Sequence, residues 1–194
     1  MLQISVLDVD LVLETHPSLF SPAAPDRGTI AMLSVVPLEP GMRVLDLGCG
    51  YGIVGITAAK KCGDENVWMS DIDPLAVSVT GENALRNGVP RTHVILSDNV
   101  AAVETSGFDL ILSNPPYQSD FSIARRFIEK GFNRLAIGGK MFMVTKRKAW
   151  YRNKLVSIFG GVIIHEIDGY YVFEAEKRQQ RYARKTPGRH PADH

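Results

Sequence analysis

Asn114-Pro115-Pro116-Tyr117 follows the apolar run Phe108 to Ser113, and its residue types suit methylation of a planar nitrogen. An amine conjugated to a base ring or carbonyl has a delocalised lone pair and attacks poorly. Two acceptors, the Asn114 side-chain oxygen and the Pro115 carbonyl, can bind both N–H bonds and favour a pyramidal nitrogen with its lone pair turned outward. The prolines hold those acceptors, because their rings fix φ and keep the preceding residue out of the helical region. Tyr117 offers a flat face to a planar group. Read alone, the tetrapeptide is equally an ordinary Pro-rich turn.

Upstream, Val44-Leu45-Asp46-Leu47-Gly48-Cys49-Gly50-Tyr51-Gly52 carries an apolar strand into a glycine-rich turn, and a helical stretch runs from Ile53 to Lys61. Such turns let the backbone approach a nucleotide. Gly50, Gly52 and Gly55 do fit a dinucleotide fingerprint, but Asp46 stands where a pyrophosphate would be repelled. A zwitterionic or cationic ligand suits it better. Asp71 closes the next apolar run, where α/β nucleotide sites place the acid that binds ribose hydroxyls. Ile72 could cover an adenine face, and Asp98-Asn99 after the third run could read its edge. Singly, each acid reads as a cap or a solvated loop residue, and Asp73-Pro74 looks like an N-cap with a first-turn proline. Three acids and an NPPY at four successive strand ends match the edge where open α/β sheets bind ligands.

With those residues the chain resembles class I S-adenosylmethionine-dependent methyltransferases, in particular the small-domain family that includes small-subunit ribosomal RNA guanine-N2 methyltransferases. Phe20-Ser21 with Asp26-Arg27-Gly28-Thr29 resembles the segment that helps form that family's cleft, and Asp168 to Phe173 resembles its last hairpin. The resemblance implies an S-adenosyl-L-methionine cofactor. Asp71, Ile72, Asp98 and Asn99 would hold its nucleoside, Asp46, Gly48, Cys49 and Gly50 its amino-acid portion, and Asn114 would face the methyl group. It implies in-line transfer to an exocyclic amine of RNA, with ribosomal RNA as partner. Tyr117 departs from the Phe common in guanine-N2 enzymes; NPPY is frequent in adenine-N6 and glutamine-N5 enzymes, which stay open as alternatives. A non-catalytic RNA-binding factor is the third reading.

These motifs need an α/β frame to position them. At 194 residues and 45% hydrophobic content, one core is expected, with a single domain over 1–176. Residues 3–14 read as one or two strands, a short β extension before the main sheet. Asp26 could cap a helix through Val36. Strand–helix pairs follow at 43–47 with 53–61, 66–70 with 75–87, and 93–97. Then come strand 108–113, a helix from Ser122 to Ile137 stopped by Gly138-Gly139, strand Met141 to Thr145, and helix Lys148 to Phe159. Asp168-Gly169 signals a terminal antiparallel hairpin. The resemblance implies a Rossmann-like, mostly parallel seven-stranded sheet of order 3-2-1-4-5-7-6.

Composition narrows the function further. No run approaches the roughly 18 apolar residues of a membrane span, and no basic-then-apolar leader opens the chain, so a cytoplasmic protein is expected. Cys49 and Cys62 make no metal or disulfide pattern, and the five histidines are scattered, so no metal is implied. Net charge is only +1, yet Lys177 to Arg189 holds six basic residues and no acid. That tail, 177–194, is expected to be disordered when free. With Lys146, Arg147, Lys148, Arg152 and Lys154 it forms basic segments that are either solvated or neutralise RNA phosphates.

Overall fold

The computed structural model describes residues 1–98, 102–116 and 121–183. It opens with a hairpin of β1 (Leu2–Val6) and β2 (Val9–Leu13), paired antiparallel. Leu7 and Asp8 between them both take positive φ, 51° and 60°, as a two-residue loop matched to strand twist requires. Val9, Leu11 and Leu13 alternate inward and join the main core.

The main sheet is built from β3 (Val44–Leu47), β4 (Val67–Asp71), β5 (His93–Leu96), β6 (Phe108–Ser113), β7 (Leu135–Thr145), β8 (Ile163–Ile167) and β9 (Tyr170–Glu176). Its order is β5-β4-β3-β6-β7-β9-β8. Counted within the sheet this is the expected 3-2-1-4-5-7-6. All pairings are parallel except those of β9, which lies antiparallel to both β7 and β8. The helices are α1 (Arg27–Leu33), α2 (Ile53–Cys62), α3 (Pro74–Arg86), α4 (Ser122–Arg134) and α5 (Lys148–Phe159).

Strand alternation divides the core into two layers. Val44, Leu110, Leu112, Phe142 and Val144 face the layer of α1, α2 and α3. Leu45, Leu47, Ile111, Met141 and Met143 face α4 and α5. Leu45 and Leu47 are fully buried, so truncating either to Ala should cost about 2–5 kcal/mol. Near-continuous burial along β3 and β6 is what a parallel sheet covered on both faces demands.

Two boundaries differ from expectation. Helix α1 stops at Leu33 rather than Val36, because Pro37 disfavours helical φ/ψ at the residue before it. Helix α4 stops at Arg134, and β7 begins at Leu135, six residues before Met141. Tertiary pairing overrides the helical periodicity there: Leu135 pairs with Phe108, Gly138 N donates to Lys177 O at 2.8 Å, and Lys177 N donates to Gly139 O at 2.9 Å.

The same contacts correct the reading of 177–183 as the start of a free tail. Lys177 is buried, with Nζ donating to Leu135 O at 2.8 Å over the Phe132 ring. The Tyr182 ring packs edge-on against Phe132, and Ala183 N donates to Ile158 O at 2.9 Å. Residues 184–194 lie outside the described part. No described helix is long and apolar enough to cross a membrane.

Candidate active site

At the C-terminal edge of the sheet, β3 ends in the glycine turn. Gly48 and Gly50 take φ of 76° and 58°, which an L side chain rarely adopts. Gly48 N and Cys49 N both donate to Ser70 O, at 2.9 and 3.0 Å, binding the turn to β4. Asp71, at the end of β4, clasps it from the other side. Its Oδ2 accepts from Gly50 N at 2.9 Å and its Oδ1 from Asp73 N at 3.0 Å. A carboxylate has about four acceptor sites, so both oxygens can still take hydroxyl groups.

Asp46 is 2% exposed and accepts from Gly55 N at 3.0 Å. Burial pushes its carboxyl up to about 7; the Gly55 bond opposes this, and the Asp71 charge adds to it. A cation entering the cleft would favour the ionised form. Burial pushes the Cys49 thiol well above its ordinary range, its Sγ lying 3.7 Å from Thr80 Oγ1. That suits a small residue packed at a turn and not a nucleophile.

On β6, Ser113 Oγ donates to Leu47 O at 2.9 Å, fixing where the strand delivers Asn114. Asp26 caps α1, its Oδ2 accepting from Thr29 N at 2.9 Å. The same Oδ2 accepts from Asn114 Nδ2 at 2.9 Å, and Thr29 Oγ1 accepts from Nδ2 at 2.9 Å. With the amide nitrogen so held, Asn114 Oδ1 is buried and unpartnered. Among the described residues the other such atom is the Tyr51 hydroxyl, in the glycine turn. Burial, helped by the Asp26 charge, pushes Tyr51 up to about 12, so it stays protonated at neutral pH. Pro115 is buried and Pro116 exposed.

Asp26, Asp46, Gly48, Tyr51, Asp71 and Asn114 border one cleft of about 290 Å³. Cys49, Gly50, Ile72, Asp98 and Pro116 line it too. Ile72 is 67% exposed, an apolar lip. Asp98 lies 3.8 Å from Arg126. The sequence motifs from strands β3, β4, β5 and β6 therefore converge on one cavity. Tyr117 and Asn99 lie outside the described residues.

Sequence reasoning missed Tyr51 as a polar group of the site, and it missed Arg126 and Phe127 on the cleft wall. The i, i+3 spacing of Arg126 from Ile123, another lining residue, was the available signal for α4. Beside the cleft, Lys146, Arg147 and Lys148 stand over the rings of Tyr170, Phe121 and Tyr171 at 4.8, 5.2 and 4.8 Å. Lys148 also lies 3.6 Å from the Glu166 carboxylate, and Lys154 is paired with Glu129. No group of His, Cys, Asp and Glu among the described residues could hold a metal.

Comparison with known proteins bears on this site. Residues 10–174 match the family described as methyltransferase small domain. The protein YbxB of Bacillus subtilis is 29% identical over 177 residues, covering 87% of each chain. Ribosomal RNA small subunit methyltransferase C of Hahella chejuensis is 32% identical, over 85% of this chain and 49% of its own length. Among solved structures, a T. thermophilus 16S rRNA N2 methyltransferase in complex with AdoMet and guanosine superposes with a TM-score of 0.84 and 26% identity, covering 91% of this chain and 50% of that one. The chain thus spans about half the length of these ribosomal RNA enzymes. A glycine turn, three acids and an NPP segment on one sheet edge, within a match of that extent, place the chain in the methyltransferase small domain family.

Proposed function

We propose that this chain is an S-adenosylmethionine-dependent N-methyltransferase that modifies the N2 amine of a guanine in ribosomal RNA. The observation that carries the reading is the buried, unpartnered Oδ1 of Asn114. A buried acceptor without a partner costs about 1–3 kcal/mol, and an amine N–H would complete it. The neighbour solved with AdoMet and guanosine supports cofactor and base.

The cleft fits the cofactor. Asp71 sits where ribose hydroxyls would be accepted, Ile72 supplies an apolar face, and the buried Asp46 is relieved by a cationic ligand. When bound, S-adenosylmethionine supplies a methyl group made electrophilic by its sulfonium. The chain's own work is orientation: Asp26 and Thr29 hold the Asn114 amide, whose oxygen takes one amine N–H and turns the nitrogen lone pair toward the methyl. Holding the reactants in line supplies much of the rate. The amine becomes acidic only as it is methylated, so the proton leaves late, to water. Lys146, Arg147 and Lys148 offer charge to phosphates beside the cleft, the sequence-independent part of RNA binding. A ribosomal substrate implies a cytoplasmic protein.

The test is transfer of labelled methyl from S-adenosylmethionine to undermodified ribosomal RNA, followed by mass spectrometry of the nucleosides. N2-methylguanosine is expected. Label appearing only in N6-methyladenosine, or only in a glutamine of protein, would overturn the assignment.

A further inference from the structure

Within the described residues, both buried polar atoms that lack a partner belong to this one cleft: Asn114 Oδ1 and Tyr51 Oη. Asp26 lines the same cleft and acts on both. It binds Asn114 directly at 2.9 Å, and its charge acts on the Tyr51 hydroxyl. Thr29 N and Asn114 Nδ2 both donate to Asp26 Oδ2, and neither of them bonds Oδ1.

These three groups bring a definite set of hydrogen-bonding types to one cleft. Asn114 Oδ1 is an amide oxygen and can only accept, and the amide's donor end is held by Asp26 and Thr29. Asp26 as a carboxylate can only accept. The Tyr51 hydroxyl can donate. Acceptor, acceptor, donor is the complement of one purine edge. Guanine presents its N2 amine and its N1–H as adjacent donors, then O6 as an acceptor. Adenine presents a donor amine beside a ring nitrogen that accepts, and that nitrogen would face the Asp26 carboxylate lone pairs. A glutamine side chain carries no second donor beside its amide nitrogen. A base taken out of its stack is read along this edge.

We infer that Asn114, Asp26 and Tyr51 together read the Watson–Crick edge of guanine, with Asp26 Oδ1 accepting from N1–H and the Tyr51 hydroxyl donating to O6. The inference rests on the N-methyltransferase reading above and adds to it the residues that choose the base. Asp26 is then a specificity residue as well as the group that positions Asn114. A site built to bond a substrate donor rejects an analogue lacking it strongly, because the buried partner is left unpaired.

The experiment compares methyl transfer to mixed-sequence oligoribonucleotides that carry one guanine or one 2-aminopurine. The analogue keeps the N2 amine but has an accepting N1 and no O6. Wild-type protein should favour guanine by at least about a hundredfold in kcat/KM. Asp26→Asn keeps an efficient helix cap yet can donate to N1, so the preference should collapse toward unity. Tyr51→Phe keeps the buried ring and should lower the preference about tenfold. Equal slowing of both oligonucleotides by both variants, with the wild-type ratio unchanged, would show that Asp26 and Tyr51 are structural only and overturn the inference. Failure of wild-type protein to methylate either purine, with transfer to a glutamine-containing peptide, would remove the nucleobase reading itself and the reader with it.

Discussion

Gly28 lies against the ring of Tyr170 so closely that a Cβ would stand 2.7 Å from two ring carbons and 2.9 Å from Asp26 Oδ2. The last hairpin of the sheet therefore presses on the first turn of α1, where Asp26 and Thr29 grip Asn114. Gly28→Ala should push α1 away from β9 and loosen that grip. The expected outcome is a fall of about tenfold or more in single-turnover methyl transfer, since a small displacement of a positioning group costs rate steeply. Cofactor affinity by calorimetry should hold, because neither the glycine turn nor Asp71 touches Gly28. A variant with unchanged rate would mean the ring swings aside.

Asn114→Ala removes the acceptor for the target amine and leaves the cofactor acids in place. Turnover should drop by about a hundredfold to a thousandfold, as when one preorganised transition-state hydrogen bond is deleted. S-adenosylmethionine should bind as in the wild type. Rates near wild type, measured by single-turnover transfer, would take Asn114 out of the mechanism.

Asp71→Ala should abolish most of the thermal stabilisation that S-adenosylmethionine gives, which at about 100 times its dissociation constant amounts to roughly 2.7 kcal/mol. Two backbone bonds, from Gly50 N and Asp73 N, go with it. The ligand-free variant should itself lose about 1–3 kcal/mol. Differential scanning with and without ligand separates the two effects, and a full ligand shift in the folded variant would remove Asp71 from the cofactor site.

Asp46 sets a pH dependence whose sign is fixed by burial. Its folded carboxyl is raised to about 7, against about 3.9 in an unfolded chain. The folded state keeps a proton that the unfolded state has released, so the contribution of Asp46 to stability is present below about pH 4 and lost as pH rises to about 7. Urea midpoints for wild type and Asp46→Asn should converge at low pH and part toward pH 8. Cofactor binding should run the other way: a cationic ligand favours the ionised form, so wild-type affinity should tighten from about pH 6 to 8. Titration calorimetry showing a flat profile, or the same slope in Asp46→Asn, would place the cation away from Asp46.

Much of this architecture was legible because strand ends carry local chemistry. Gly48-Cys49-Gly50, Asp71 and Asn114 each announce themselves within a few residues, and parallel-sheet rules bring strand ends to one edge. The start of β7 was hidden, because Phe132, Leu135 and Ala136 continue the helical spacing of α4 until pairing with Phe108 and Lys177 decides otherwise. The Asp26–Asn114 bond spans 88 residues, a separation no local pattern can encode. Tyr51 carried no signal of its own in the sequence, since only the packed core shows that its hydroxyl is left without a partner. Lys177 read as part of a basic tail, either solvated or bound to RNA phosphates, whereas its ammonium lies over Phe132 and bonds a strand carbonyl.

The Asp71 clasp has a kinetic meaning. The carboxylate holds Gly50 on one side and Asp73 on the other, so the turn and the start of α3 are tied to each other by the chain's own bonds. Ordering that a flexible loop would undergo during capture is completed when the chain folds. Association should then be a single fast step with no lag for loop closure, and differences in affinity among nucleoside ligands should appear almost wholly in their residence times.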